Sequence, residues 1–176
     1  PEVTSILLTT TAKYNASATT KDAETIKANV ITTLENYNTS TLQKFDSVFR
    51  YSKVVKLIDD TDASILSNIS TIQMRKQFTP TLNSSLKYNV YFRNALYNPH
   101  TGHNATSGGI LKSTGFKVSG NTNEHFLDDD GNGNVRAYYL SGATRVYSNS
   151  TQGTIDYSTG AITINSLQVT EISNIR

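Results

Sequence analysis

A chain of 176 residues is long enough for one ordinary domain or two small ones, and for a core that needs no covalent staples. It contains no cysteine, which excludes disulfides, thiolate zinc sites and thiol nucleophiles. The formal charge of +2 comes from scattered Lys and Arg and lacks the basic stripe of a nucleic-acid binder; no apolar run approaches the roughly 20 residues of a membrane span.

The chain opens at Pro1 without an initiator Met, as expected of a piece cut from a longer polypeptide. Val3 to Tyr14 reads as a strand, with Ile6, Leu7 and Leu8 among Thr residues whose β-branching favours extended backbone. After a polar breaker at residues 15–20, Asp22 and Glu24 complement a helix dipole, and Ile26, Val30, Leu34 and Tyr37 recur at helical spacing. This predicts a helix over residues 21–37. A second helical period follows Asp46, read as its N-cap, with Tyr51, Val54, Val55 and Ile58 on one face; it stops near Asp59-Asp60-Thr61-Asp62. Between Ala63 and Phe78 the irregular spacing of Ile65, Ile69, Ile72 and Met74 suggests a long strand broken by a bulge, ended by Pro80.

Beyond this β-α-α-β unit the pattern changes. Tyr88 to Phe92 alternates as a strand, and a loop surrounds Asn98 to Gly102. Further strands are expected at Ile110 to Val118, around Phe126-Leu127, and at Val135 to Leu140, Thr144 to Tyr147, Gly153 to Tyr157 and Ala161 to Val169. Gly-Asn, Ser-Gly and Thr-Gly pairs separate them at hairpin intervals. The expected fold is therefore α+β: a two-layer unit over residues 1–82, both helices on one face of a small sheet, then an antiparallel β-rich domain over residues 83–176.

Several groups could carry chemistry. Asp128, Asp130 and Asn132 stand at the first, third and fifth places of a calcium-loop register, with Gly133 at the sixth. The twelfth place is Tyr139 and not a bidentate Glu, and the flanks alternate like the arms of a hairpin, so a tight turn explains these residues more cheaply. His100 and His103 could meet at a metal, although a Gly- and Asn-rich loop gives them no fixed spacing. His125 stands alone. Asp59, Asp60 and Asp62 could bind a cation or act as acid and base, but a capping turn accounts for them. Ser107-Gly108-Gly109 reads as a plain flexible turn. Ser, Thr and Asn make up about a third of the chain, a composition that yields N-x-[ST] triplets by chance. Tyrosines left over from the cores favour a partner-binding surface.

Leu34-Glu35-Asn36-Tyr37-Asn38, the stretch Phe45 to Ser52, Leu57 to Asp62 and Ile69-Ser70-Thr71-Ile72 resemble the C-terminal region of the baseplate wedge protein of T4-like phages, the product of gene six, within the baseplate J-like family. Tyr91-Phe92-Arg93-Asn94, Asp128 to Gly133 and Gly153 to Ile162 resemble segments of the same family in marine myoviruses. The resemblance implies a structural, non-enzymatic role without cofactors: self-association into a dimer or ring, contacts with other wedge proteins, and a place in the virion's tail baseplate after assembly in the host cytoplasm. The rival reading is a calcium-dependent adhesion or carbohydrate-binding β module built on the Asp128 loop.

Overall fold

A computed structural model describes residues 3–45 and 47–173, which fall into two compact units, Ser5–Arg75 and the residues from Lys76 onward with the first residues of the chain. In the first unit, strand β1 (Ser5–Tyr14) runs antiparallel to β2 (Ile65–Arg75), from Ser5 opposite Arg75 to Tyr14 opposite Ile65. The register slips between Lys13 and Tyr14, leaving Leu66 as the extra residue of the bulge anticipated in this strand. Helix α1 (Ala23–Tyr37) starts where the Asp22 carboxylate accepts a hydrogen bond from the Thr25 N–H at 2.8 Å. It does not stop at the polar stretch beyond Tyr37: a π-helical turn continues through Asn38–Leu42, with the Thr39 hydroxyl donating to the Glu35 carbonyl. A hydroxyl that bonds back to a carbonyl one turn earlier keeps a polar residue within a helical path.

Helix α2 (Tyr51–Asp59) has Arg50 at its N-cap position, without a side-chain bond; Asp46, expected as that cap, lies outside the described residues. Its apolar face delivers Val54 and Ile58 to a cluster with Tyr37, against which Leu8, Val30, Leu34 and Phe49 pack. The Tyr51 hydroxyl donates to the Ser70 carbonyl at 2.7 Å, so one helix residue both ends the stripe and pins β2.

The second unit is strand-rich: β3 (Ser85–Tyr91), β4 (Phe116–Val118), β5 (Asn121–Asp129), β6 (Asn134–Ser141), β7 (Thr144–Asp156) and β8 (Ala161–Ile172). β4 to β8 close into a five-stranded antiparallel barrel, and β3 adds to β8 from outside. Closure depends on β8. Its first part pairs with β7, Ala161 opposite Asp156, and its last part with β4, Ile172 opposite Phe116. Between them Ser166 takes φ +47° at a register slip against β3, and such bulges are how one strand turns a barrel corner. The core inside is aliphatic, centred on Val135, Ile155, Ile162, Ile164 and Val169. Gly153 faces the Thr163 carbonyl across the β7–β8 pair so closely that a Cβ there would collide with it.

Three expectations change. Of the run from Ile110 to Val118, only Phe116–Val118 is strand; the preceding residues are held by side chains, Leu127 N–H donating to the Ser113 hydroxyl at 2.8 Å. The segments Thr144 to Tyr147 and Gly153 to Tyr157 are one strand, carried across the polar interval by the Asn149 amide donating to Gln152 at 3.0 Å. Ser107-Gly108-Gly109 is no plain turn: a Cβ at Gly108 would strike the Arg145 guanidinium and one at Gly109 the Asp129 carboxylate.

Candidate functional site

The acidic stretch is the tip of the β5–β6 hairpin, Asp129 opposite Val135, with Gly131 at φ +72° and Gly133 at φ +98° supplying the left-handed backbone of the turn. Alternation along β5 sends successive carboxylates to opposite faces. Asp128 is 1% exposed and takes Arg136 Nε on one oxygen at 2.9 Å, with the Tyr147 hydroxyl at 3.0 Å and Arg145 Nη1 at 3.3 Å on the other. Both guanidiniums also lie over rings, Arg136 over Tyr147 at 4.3 Å and Arg145 over Tyr138 at 4.8 Å. Burial, followed by the bond to Asp128, pushes the Tyr147 phenol up.

Asp129 is fully buried and gathers four donors: Ile110 N–H at 2.7 Å, Leu111 N–H at 2.6 Å, Gly131 N–H at 3.1 Å and the Tyr157 hydroxyl at 2.6 Å. Burial and this bond raise the Tyr157 phenol well above its ordinary range. Asp130 accepts from the Asn132 and Asn134 backbone N–H groups and from the Asn134 amide at 2.7 Å; burial would raise its carboxyl, but these donors outweigh it and hold it low. Asn132 turns its amide to the Asp130 carbonyl at 3.1 Å. Asp128 and Asp130, the carboxylates of the calcium-like register, are each engaged by donors of the protein itself. Three of the four donors to Asp129 come from residues 18 to 28 positions away, where spacing gives no signal.

The Asp59, Asp60 and Asp62 carboxylates diverge. Asp59 accepts from the Asn68 amide at 2.7 Å, Asp60 pairs with Lys56 at 2.7 Å, and Asp62 with Lys21 at 2.6 Å. Lys21, then the Ser64 N–H and hydroxyl, hold the Asp62 carboxyl well below the usual carboxylate range. This is a helix end tied to a neighbouring strand, with no paired carboxylates for acid–base work. His125 is 1% exposed; its Nδ1 donates to the Asn123 carbonyl at 2.9 Å, and Nε2 has no hydrogen-bond partner. His100 and His103 do come together, 3.4 Å apart between ring nitrogens. Among the described residues no cluster of three or more His, Cys, Asp or Glu is arranged to hold a metal, and no helix is long and apolar enough to cross a membrane.

A shallow groove beside the hairpin tip is lined by Asn98, Asn132, Asp156, Tyr157 and Ser158. Asp156, at the β7–β8 turn, is held down to about 2 by the hydroxyls of Ser158 and Thr159 and the Ser158 N–H. Since its folded pKa lies below the ordinary 3.8, this carboxylate favours the fold above that value, and the contribution is lost as pH falls toward about 2. Melting temperature is expected to drop across this acid window, and Asp156→Asn to flatten part of the drop; identical acid profiles for the two proteins would refute the assignment.

Residues 4–77 match the family described as baseplate structural protein gp6, C-terminal domain III. No curated protein matches the chain. The matched segment spans the whole Ser5–Arg75 unit and bears out the sequence resemblance over that part. It supports a structural role in the tail baseplate of a phage virion.

Proposed function

We propose that this chain is a non-enzymatic structural component of a contractile-tail phage baseplate, whose two domains, residues 1–82 and 83–176, mediate wedge assembly and ring formation through protein–protein contacts. The observation that carries this reading is the match of residues 4–77 to a baseplate structural domain. The partners are a second copy of the chain, in a dimer or ring, and other wedge proteins, joined in the host cytoplasm before the baseplate is complete.

The first unit offers support of a physical kind. Its sheet has two strands, β1 and β2, which pair only with each other among the described residues, and two strands are the least that a sheet can have. Leu8 packs toward the helices, so by alternation Leu7 and the cross-strand pair Thr11 and Ile69 lie on the opposite face. Ile69 is 76% exposed and Leu66, in the bulge, 61%. Joining the same edge from two copies would make a four-stranded sheet about a two-fold axis and set these side chains of both copies side by side on one face.

Light scattering on the purified chain is expected to give at least twice the 19.3 kDa of one copy, unchanged between chelator and millimolar calcium. Ile69→Lys, which puts a charge on an exposed strand residue without touching the core, should return it to one copy with unaltered circular dichroism. A single-copy mass at every concentration overturns self-association through this chain. A mass that rises only with calcium would instead favour the adhesion module and the Asp128 hairpin.

A further inference from the structure

The loop between β3 and β4 contains a pair of side chains that the assembly reading leaves unused. His103 Nδ1 lies 3.4 Å from His100 Nε2, the two rings being 5.1 Å apart at an interplanar angle of 85°. We propose that His100 and His103 form a two-histidine binding site for a divalent transition-metal ion of the zinc class, with its remaining coordination positions open to water or to a donor from a neighbouring chain.

Three features of the geometry support this. Imidazole nitrogens bind zinc at about 2.0–2.1 Å, so two of them at a tetrahedral angle stand about 3.3–3.4 Å apart, with ring centres about 5.2 Å apart. Both observed separations agree, whereas 3.4 Å exceeds the usual range of about 2.7–3.2 Å for a hydrogen bond donated by N–H. The ring spacing matters as much as the nitrogen spacing. The ring centres, like the nitrogens, stand at the separation that a shared ion would set.

The outward nitrogens have partners of the kind that set a ligand's tautomer. His100 Nδ1 donates to the Thr101 carbonyl at 3.1 Å, which leaves the lone pair on Nε2, the atom facing His103. His103 Nε2 lies 3.0 Å from the Asn104 side-chain amide. Half a turn of that amide presents its oxygen to an Nε2–H, placing the lone pair on Nδ1, the atom facing His100.

The backbone holds the pair in place. Gly102 and Asn104 adopt φ of +74° and +53°, and His103 N–H donates to the His100 carbonyl at 3.1 Å, closing a turn that puts both rings on one side. Gly102 N–H and the Asn98 amide both bond the Gly131 carbonyl, anchoring the turn on the β5–β6 hairpin. A Cβ at Gly131 would run into the Gly102 backbone, so a glycine is required where the two loops meet. Tyr97 meets His103 edge-on at 5.4 Å. A site whose ligands are already fixed loses little freedom on binding.

The test is calorimetric titration of the whole chain with zinc chloride, paired with long-range proton–nitrogen NMR of the imidazoles. One zinc per chain is expected at sub-millimolar affinity. His100→Ala and His103→Ala should each weaken it at least about tenfold, the cost commonly seen when a single support of a metal site is removed, and the double substitution should abolish it. In the spectra, zinc should shift His100 Nε2 and His103 Nδ1 and leave His125 unmoved. An unchanged melting temperature without metal checks that each variant folds. Absence of saturable heat, or binding that survives the double substitution, overturns the proposal.

Discussion

Asp129→Asn is expected to cost the strand-rich unit about 2–4 kcal/mol, since one or two buried backbone N–H groups lose their acceptor together with the charge that strengthened the bonds. The carboxylate gathers four donors, two per oxygen, and is fully buried. An amide of the same shape has one oxygen. If that oxygen serves Ile110 and Leu111, the NH2 group is turned on the Gly131 N–H and the Tyr157 hydroxyl. The phenol can rotate and accept instead, but Gly131 cannot, and a buried N–H then faces another donor. The reverse orientation strands two backbone N–H groups. Urea unfolding followed by near-ultraviolet circular dichroism measures the loss, and amide exchange at Ile110 and Leu111 locates it. Tyr157→Phe provides the scale: it removes one donor and leaves the carboxylate three, for about 1–2 kcal/mol. An Asp129→Asn protein no weaker than Tyr157→Phe would mean that the hub contributes little.

The same residue shows where sequence reasoning ran short. Spacing gave Asp128, Asp130 and Asn132 the places of a cation loop, because a calcium register is a statement about order along the chain. In the fold Asp128 is taken up by Arg136 and Arg145, and Asp129, which the register leaves out, turns the opposite way to the 110–111 backbone. Those partners are distant in sequence and carry no periodic signal. The barrel was hidden for a related reason: its closure rests on Ser166, a non-glycine residue at positive φ, and on a β4 of only three residues. Neither looks exceptional when read alone.

What was legible was local. Both helices followed from apolar recurrence at three to four residues, and the long second strand with its bulge from the irregular placing of Ile65, Ile69 and Ile72. The His pair was legible as a possibility, because two histidines three residues apart in a turn-forming loop can meet. Its geometry was not, since that depends on the positive φ of Gly102 and Asn104 and on the anchor at Gly131.

Ile58→Ala should have the second large effect, confined to the other unit. Ile58 is the largest fully buried side chain among the described residues, and it sits where α1, α2 and β1 meet, in a cluster with Tyr37 and Val54 as buried companions. Truncating a buried isoleucine removes its transfer free energy and leaves a cavity, together about 2–5 kcal/mol. A unit the size of Ser5–Arg75 has a total stability of only about 4–10 kcal/mol at the usual value per residue, so the loss is a large share of it. Residue-resolved amide exchange is the measurement. Protection should fall through β1, β2 and the helices, while Val135 and Val169 in the barrel keep theirs. Because this unit carries the baseplate-family match, the same substitution should also abolish the self-association proposed above, whereas Ile69→Ala, at an exposed strand position, should leave folding within about 0.5 kcal/mol of the parent. Equal loss of protection in both units would show instead that they unfold as one cooperative body.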